Sequence, residues 1–291
     1  YKRQHLPMLK ILNFLAIALM FTACCDASAK KEIASAGVVQ PIVLDQPARP
    51  AGQEDVIALT APKMDTVRVG FIGLGMRGPG AVKRFTYLEG VKIVALCDIH
   101  PERVEAAQQI LKKAGLPEAV GYSGTEEAWK QLCDREDIDL VYICTDWKRH
   151  TPMAVYAMEH GKHVACEVPI AMTVAECWEL VNTSEKTRKH CMMLENCCYD
   201  FFEMATLNMA QKGVLGEIVH AEGAYIHDLR FLNFMDPKEG GYNDWWRLDY
   251  NAEHTGDPYA THGLGPVTQA LNIGRGDRLD YLVSLSSDQF G

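Results

Sequence analysis

The chain has 291 residues, of which 48% are apolar, and a formal net charge of −9. This apolar fraction is typical of a globular protein with one large or two ordinary domains, rather than of a disordered chain. The acidic balance and the lack of a basic stripe exclude nucleic acid as an expected partner. After the N-terminal region, no apolar run is long enough to span a bilayer.

The first 63 residues have the pattern of a targeting segment followed by a linker. Lys10 precedes an apolar run, Ile11 to Phe21, which leads into Thr22-Ala23-Cys24. This order is typical of a secretory signal, and a cysteine after small residues is typical of a bacterial lipoprotein. We predict a signal over 1–29, a Pro-rich linker over 30–63, and export to the bacterial periplasm or cell envelope. A lipid anchor at Cys24 and ordinary signal cleavage both stay open, and membrane contact is expected only through that lipid.

The stretch from Val67 to Gly78 predicts a buried strand, a glycine-rich turn and the start of a helix. The motif G-x-G-x-x-G is formed by Gly73, Gly75 and Gly78. Such glycines permit a tight turn, backbone approach to a pyrophosphate and close helix packing. Asp98 ends the next apolar strand, Val91 to Cys97, at the position where a ribose diol would be held. The pattern predicts a dinucleotide site for NAD, because Asp98 would repel the 2′-phosphate of NADP.

Helices and strands alternate after Asp98. One helix is predicted over Glu102 to Ala114. Two more are predicted to begin at capping-box patterns, Ser123-Gly124-Thr125-Glu126 and Thr173-Val174-Ala175-Glu176. A fourth is predicted to have Pro152 in its first turn. Further strands are predicted at Ile138 to Cys144, His163 to Cys166 and Cys191 to Leu194. This alternation predicts an α/β, doubly wound parallel sheet of the Rossmann type over residues 64–196.

Ligands of such sheets bind beyond the carboxyl ends of the strands. Five strand exits are therefore expected to meet at one edge of the sheet. They are Gly73–Gly78, Asp98, Thr145–His150, Glu167-Val168 and Asn196.

After Tyr199 the pattern changes. A helix from Phe201 to Lys212 and an alternating strand from Ile218 to Tyr225 are predicted, and aromatic and polar stretches follow. Aromatic rings beside hydrogen-bonding groups can bind the faces of a sugar. The alternative interpretation is that these stretches form the edge of a loop-rich core. We predict an α+β substrate-binding domain over 197–291, with a largely antiparallel sheet and truncated at its C-terminus.

At these residues the chain resembles the glucose–fructose oxidoreductase and inositol dehydrogenase superfamily and, within it, glycoside hydrolase family 109. The resemblance is carried by Gly73 to Gly78, Glu167-Val168-Pro169, Glu195 to Tyr199, Gly240 to Arg247, and Tyr259 to Pro266. Dehydrogenases of the superfamily usually have Glu-Lys-Pro where this chain has Glu167-Val168-Pro169. Because valine cannot transfer a proton, an ordinary dehydrogenase mechanism is in doubt.

The resemblance implies an NAD-dependent α-N-acetylgalactosaminidase that acts on glycans carrying terminal α-linked N-acetylgalactosamine. In that reaction bound NAD transiently oxidises C3, the leaving group departs by elimination, water adds, and the ketone is reduced again. The implied cofactor-binding residues are Gly73, Gly75, Met76, Arg77, Gly78, Asp98, Trp147, Lys148, Arg149, His150, Glu167, Val168, Asn196 and Tyr259. The implied substrate-binding residues are Tyr225, Arg247, Tyr259, Ala260, Thr261 and His262, and the catalytic candidates are Tyr199, Tyr259 and His262. No metal site is expected.

Two other functions stay open. The first is an NAD-dependent sugar dehydrogenase of the same superfamily, which would release NADH. The second is a non-catalytic sugar-binding lipoprotein. The sequence also leaves open which catalytic candidate is the base, and whether the protein forms a homo-oligomer.

Overall fold

The computed structural model describes residues 42–44, 47–242, 245–254 and 256–285. The predicted signal at 1–29, with Cys24, lies outside these residues. The chain divides into two compact units, Tyr1–Ala48 and Arg49–Gly291, and every element named below belongs to the second. Among the described residues, no helix combines the length and the apolar character needed to cross a membrane.

One six-stranded sheet forms the centre of the fold, in the order β3-β2-β1-β4-β5-β6. Its strands are β1 (Val67–Ile72), β2 (Val91–Cys97), β3 (Val120–Tyr122), β4 (Leu140–Ile143), β5 (His163–Cys166) and β6 (Cys191–Met193). All neighbouring strands are parallel. The direction of winding changes between β1 and β4, which is the position where such sheets bind ligands. The predicted Rossmann-type sheet is confirmed.

Five helices connect these strands. They are α1 (Gly78–Phe85), α2 (Pro101–Lys113), α3 (Ala128–Cys133), α4 (Trp147–Glu159) and α5 (Val174–Thr187). Apolar side chains fill both faces of the sheet, with Phe71 and Leu96 in one cluster and Ile143 and Met158 in the other. This two-sided burial is why the central strands are almost continuously apolar in sequence.

Two predicted helix starts differ from the structure, and one is confirmed. The capping box at Thr173 is present, because Thr173 Oγ1 accepts from the Glu176 N–H at 3.2 Å and Glu176 Oε2 accepts from the Thr173 N–H at 3.0 Å. The predicted box at Ser123 does not form, since α3 begins only at Ala128. Helix α4 begins at Trp147, so Pro152 lies inside it. The indole of Trp147 is buried, and its packing favours this earlier start over the first-turn preference of proline.

The residues after Met193 form short helices. Two 3-10 turns, Asn196–Cys198 and Pro237–Glu239, alternate with α6 (Phe201–Gln211), α7 (Arg230–Asn233), α8 (Trp246–Glu253) and α9 (Ala260–Ala270). The predicted strand from Ile218 to Tyr225 is absent, and no antiparallel sheet forms among the described residues after Asn196. A strand requires a neighbour that pairs with its backbone N–H and C=O groups, and no described segment does so for 218–225.

Part of the predicted linker is hydrogen-bonded to the C-terminal end of helix α5. The guanidinium of Arg49 donates to both carboxylate oxygens of Glu185 on α5, at 3.0 to 3.2 Å. The amide of Gln53 donates to the same carboxylate, and Arg188 donates to the backbone oxygens of Glu54 and Asp55. Residues 49–55 are therefore docked rather than a free tether.

Candidate active site

A cavity of about 780 Å³ lies beyond the carboxyl ends of the central strands. The predicted site residues that line it are Gly73, Gly75, Met76, Arg77, Asp98, Trp147, Arg149, His150, Glu167, Val168, Asn196, Tyr225, Arg247, Tyr259 and His262. The first eleven follow strands of the sheet, and the last four come from the C-terminal region. Strand exits and aromatic stretches that are far apart in sequence therefore meet in one cavity.

Five predicted site residues do not line this cavity, namely Lys148, Gly78, Tyr199, Ala260 and Thr261. Gly78 is buried behind the glycine turn, whereas the side chain of Lys148 is exposed. Tyr199 ends the 3-10 turn Asn196–Cys198 and is 54% exposed. Of the three catalytic candidates, the structure thus brings Tyr259 and His262 into the cavity and leaves Tyr199 outside it.

The glycine turn between β1 and α1 has the geometry of a dinucleotide cradle. Gly73 has φ +91°, and a Cβ on Gly78 would lie 2.2 Å from the carbonyl oxygen of Gly73. No described side chain caps the N-terminus of α1, so its first N–H groups remain available for phosphate oxygens. These features fit a bound pyrophosphate.

Asp98 stabilises the same turn and faces the cavity. Its Oδ2 accepts from the Leu74 N–H at 2.7 Å, and its Oδ1 accepts from the His100 N–H at 2.9 Å. Arg103 approaches Oδ1 at 3.6 Å. A carboxylate has about four lone-pair sites, so Asp98 can still accept hydrogen bonds from a ribose diol.

Glu167 and Arg77 form an ion pair across the cavity. Arg77 Nε lies 3.2 Å from Glu167 Oε1, and the hydroxyl of Tyr142 donates to the same oxygen at 2.8 Å. Arg77 also approaches the amide oxygen of Asn196 at 3.5 Å. The pair joins the glycine turn to the segments after β5 and β6, and it neutralises a carboxylate that is largely buried.

His150 supports the cavity from behind. It is 1% exposed, with Nδ1 at 2.7 Å from the carbonyl oxygen of Pro169 and Nε2 at 3.1 Å from that of Thr145. Burial lowers the pKa of His150, against the effect of these two carbonyl groups. Because both ring nitrogens face the backbone, His150 positions the segment around Val168 and has no ring N–H left for a cofactor.

His262 and Glu195 form a buried pair where the C-terminal region meets the cavity. His262 Nδ1 lies 2.5 Å from Glu195 Oε1, and the two side chains are 9% and 6% exposed. The Cys197 N–H also donates to Oε1, at 3.0 Å. Helix α9 approaches this closely because Gly265 has no Cβ, which would otherwise lie 2.8 Å from Glu195 Cγ. A carboxylate that holds one imidazole nitrogen leaves the other free to move a proton.

Two tyrosines surround the imidazole of His262. The ring centroids of Tyr259 and Tyr225 lie 5.0 and 4.7 Å from that of His262. Burial raises the pKa of Tyr259 to about 12 and also raises the pKa of Tyr225, although nearby Arg247 lowers both. Both phenols are therefore protonated near neutral pH and can donate hydrogen bonds to a ligand.

Arg247 is buried among aromatic rings, and some of its N–H groups have no hydrogen-bond partner among the described residues. Its guanidinium carbon lies 4.5 Å from the ring centroid of Tyr259 and 5.3 Å from that of Trp147. Nη1 donates to the hydroxyl of Tyr242, whereas Nε and Nη2 are buried without a hydrogen-bond partner among the described residues. Unpaired buried donors are costly, so the geometry favours an acceptor supplied by a ligand.

Several of these groups belong to no motif that predicts a role from sequence. They include Glu195, Tyr142, Tyr242, Trp246 and Arg103. The position of Glu195 is informative in sequence, because it lies two residues after β6 and the exits of other strands line the site. Tyr142 had none, because a tyrosine inside an apolar strand is indistinguishable in sequence from an ordinary core residue.

Comparison with known families agrees with this geometry. Residues 67–195 match the family described as "Oxidoreductase family, NAD-binding Rossmann fold", and residues 199–291 match "Glycosyl hydrolase 109, C-terminal domain". A myo-inositol dehydrogenase from Lactobacillus casei, solved with NAD(H) and myo-inositol, is 27% identical with a TM-score of 0.46. It covers 52% of this chain, which in turn covers 43% of that structure.

Curated relatives carry the same family name. The chain is 62% identical over 281 residues to Glycosyl hydrolase family 109 protein 1 of Bacteroides fragilis, covering 96% of this chain and 58% of that protein. It is 62% identical over 239 residues to an alpha-N-acetylgalactosaminidase of the same species, covering 82% of this chain and 56% of that protein. The chain thus spans a little over half the length of these relatives. With both of its regions matched, the chain belongs to glycoside hydrolase family 109.

Proposed function

We propose that this protein hydrolyses terminal α-linked N-acetylgalactosamine from glycans, with a resident NAD. The pair formed by Glu195 and His262, whose imidazole lines the cavity that also contains the glycine turn, carries the proposal. Support for the substrate comes from the relative named as an alpha-N-acetylgalactosaminidase. We assign cofactor binding to residues 64–196 and substrate binding to 197–291.

The state of the carboxylates favours redox chemistry over the common glycosidase scheme. That scheme requires two carboxylates that flank the bond, and NAD-dependent hydrolases depart from it. The carboxylates that line the described cavity are Asp98, Glu126, Asp146 and Glu167. Asp98 accepts backbone N–H groups, Glu167 pairs with Arg77, and Arg149 pairs with the other two. None of the four is a lone acid or base.

We assign a different step of the reaction to each residue of the site. Bound NAD would supply reversible hydride transfer at C3 of the sugar. We assign His262 to removal of the C2 proton, with Glu195 holding its Nδ1–H. Tyr259 and Tyr225 are protonated, so one of them can donate to the departing group and the other can hydrogen-bond the C3 oxygen. The C3 hydroxyl proton passes to solvent during oxidation and returns during reduction. Arg247 would donate its unpaired N–H groups to the sugar, and the acetamido oxygen is a suitable acceptor.

NAD rather than NADP is proposed as the cofactor. Asp98 already carries two backbone hydrogen bonds and would place its negative charge beside a 2′-phosphate. Denatured protein analysed by mass spectrometry is expected to release NAD. Release of NADP would contradict the assignment.

Export and a lipid anchor at Cys24 also remain proposals, supported by the sequence pattern alone. Cys24→Ser is expected to move the protein from the membrane fraction to the soluble fraction. An unchanged distribution would contradict the lipid anchor.

The function is tested with p-nitrophenyl α-N-acetylgalactosaminide and no added cofactor. We expect steady release of p-nitrophenol without accumulation of free NADH, because the hydride returns to the same sugar. NADH formed in proportion to product would favour a net sugar dehydrogenase. Binding of the sugar with no turnover would favour a non-catalytic binding protein. His262→Gln is the matched variant, which should bind NAD and lose turnover.

A further inference from the structure

A carboxylate, a thiol and an imidazole lie close together beside the cavity. One ligand atom from each of Glu195, Cys197 and His262 lies within 4.8 Å of the others. Cys197 lies in the 3-10 turn Asn196–Cys198 and Glu195 caps its N-terminus, whereas His262 belongs to α9. The folded chain therefore brings together three groups whose spacing in sequence matches no zinc motif.

The environment of Glu195 is suited to binding a cation. The residue is 5% exposed, and its Oε1 already accepts from Cys197 and contacts His262. Its second oxygen, Oε2, is buried without a hydrogen-bond partner among the described residues. A buried carboxylate oxygen without a partner is destabilising, and a bound cation would satisfy it.

We propose that Glu195, Cys197 and His262 form a Zn²⁺ site whose occupation inhibits the enzyme. The inhibitory role rests on the proposed function, in which His262 must move a proton. Thiolate, imidazole and carboxylate are all zinc ligands, and the sulfur disfavours Mg²⁺ and Ca²⁺. Three protein ligands would leave the fourth position to water, which is the arrangement of an open zinc site.

The geometry requires only a small adjustment. With bonds of about 2.0–2.3 Å, the ligand atoms of a tetrahedral zinc site lie about 3.3–3.8 Å apart. Ligand atoms that lie within 4.8 Å of one another therefore need to close by at most about 1.0–1.5 Å. Because the thiolate is the ligand, binding of Zn²⁺ releases the thiol proton of Cys197 to solvent. Affinity is consequently expected to increase with pH.

Occupation of this site would stop proton transfer without filling the sugar pocket. Zn²⁺ would take a lone pair of His262 and the carboxylate that orients it. Arg247 and Tyr259 would remain available to the sugar. Inhibition is therefore expected to lower kcat more than it raises KM.

Direct binding tests the site independently of activity. Chelator-treated full-length chain would be titrated with Zn²⁺ against a chromogenic chelator, with Co²⁺ as a spectroscopic probe of thiolate ligation. We expect one Zn²⁺ per chain, with affinity at least about tenfold lower in Cys197→Ser and in His262→Gln, a change of about 1.4 kcal/mol. Cys177→Ser, at an exposed cysteine of α5, is the matched control and should bind as the unmodified chain does.

The zinc titration and the hydrolysis assay together distinguish a failure of the zinc site from a failure of the proposed function. Zinc affinity unchanged in Cys197→Ser, or no Zn²⁺ bound at all, would overturn the site. Zinc bound with full hydrolysis retained would overturn the inhibitory role. A chain that binds Zn²⁺ through Cys197 but hydrolyses nothing when metal-free would confirm the site and contradict the proposed function.

Discussion

The pair formed by Glu195 and His262 makes the most specific prediction. Glu195→Gln preserves size but removes the charge that lies 2.5 Å from His262 Nδ1. A hydrogen bond to a charged group contributes about 1.5–3 kcal/mol. Since about 1.36 kcal/mol changes a rate tenfold, kcat should fall about 10- to 150-fold. KM should change little, because Glu195 does not line the cavity.

The assay for this prediction is release of p-nitrophenol across a range of pH. Glu179→Gln, which removes an exposed carboxylate from α5, is the control and should retain full activity. Thermal unfolding and NAD content would be measured for both variants. If Glu195→Gln kept full kcat and an unchanged pH profile while correctly folded, His262 would not act through Glu195. A loss of activity that only followed a loss of folded protein would indicate a structural role instead.

Two further predictions concern the cofactor side of the cavity. Gly78→Ala places a Cβ 2.2 Å from the Gly73 carbonyl oxygen, so retained NAD in purified protein should fall about tenfold or more. Gly80→Ala on the same helix, whose Cβ would meet only the flexible end of Arg84 at 3.4 Å, should retain it, and equal NAD in both variants would contradict the cradle. The lowered pKa of buried His150 means that the unfolded chain binds its proton first, so stability should fall as pH drops below about 6.5. Urea unfolding at pH 7.5 and 5.5 should show a smaller decrease in His150→Asn than in the exposed-site control His220→Gln, and equal decreases would contradict this assignment.

The sheet was predictable because its signals are local. Buried parallel strands are apolar throughout, and Gly73, Gly78 and Asp98 follow them at fixed spacing. The three-residue strand Val120–Tyr122 has no such run and was missed. The start of α4 at Trp147 was also missed, because contacts with distant aromatic rings determine it.

The site was predictable where motifs mark it and not where side chains meet across the fold. Strand exits identified the cavity, and the family motif identified Arg247 and His262. Neither indicated that Glu195 Oε1 lies against His262. The unpaired N–H groups of Arg247 and the partners of His150 are likewise tertiary facts. The strand expected at 218–225 depends on a neighbouring segment, which periodicity alone does not reveal.

We propose that the sugar is cleaved through oxidation at C3 and loss of the C2 proton. The most direct test is turnover in D₂O, followed by mass spectrometry and NMR of the released N-acetylgalactosamine. We expect deuterium at C2, introduced when the proton taken by His262 has exchanged with solvent. Complete hydrolysis with only hydrogen at C2, together with full activity in His262→Gln, would contradict it.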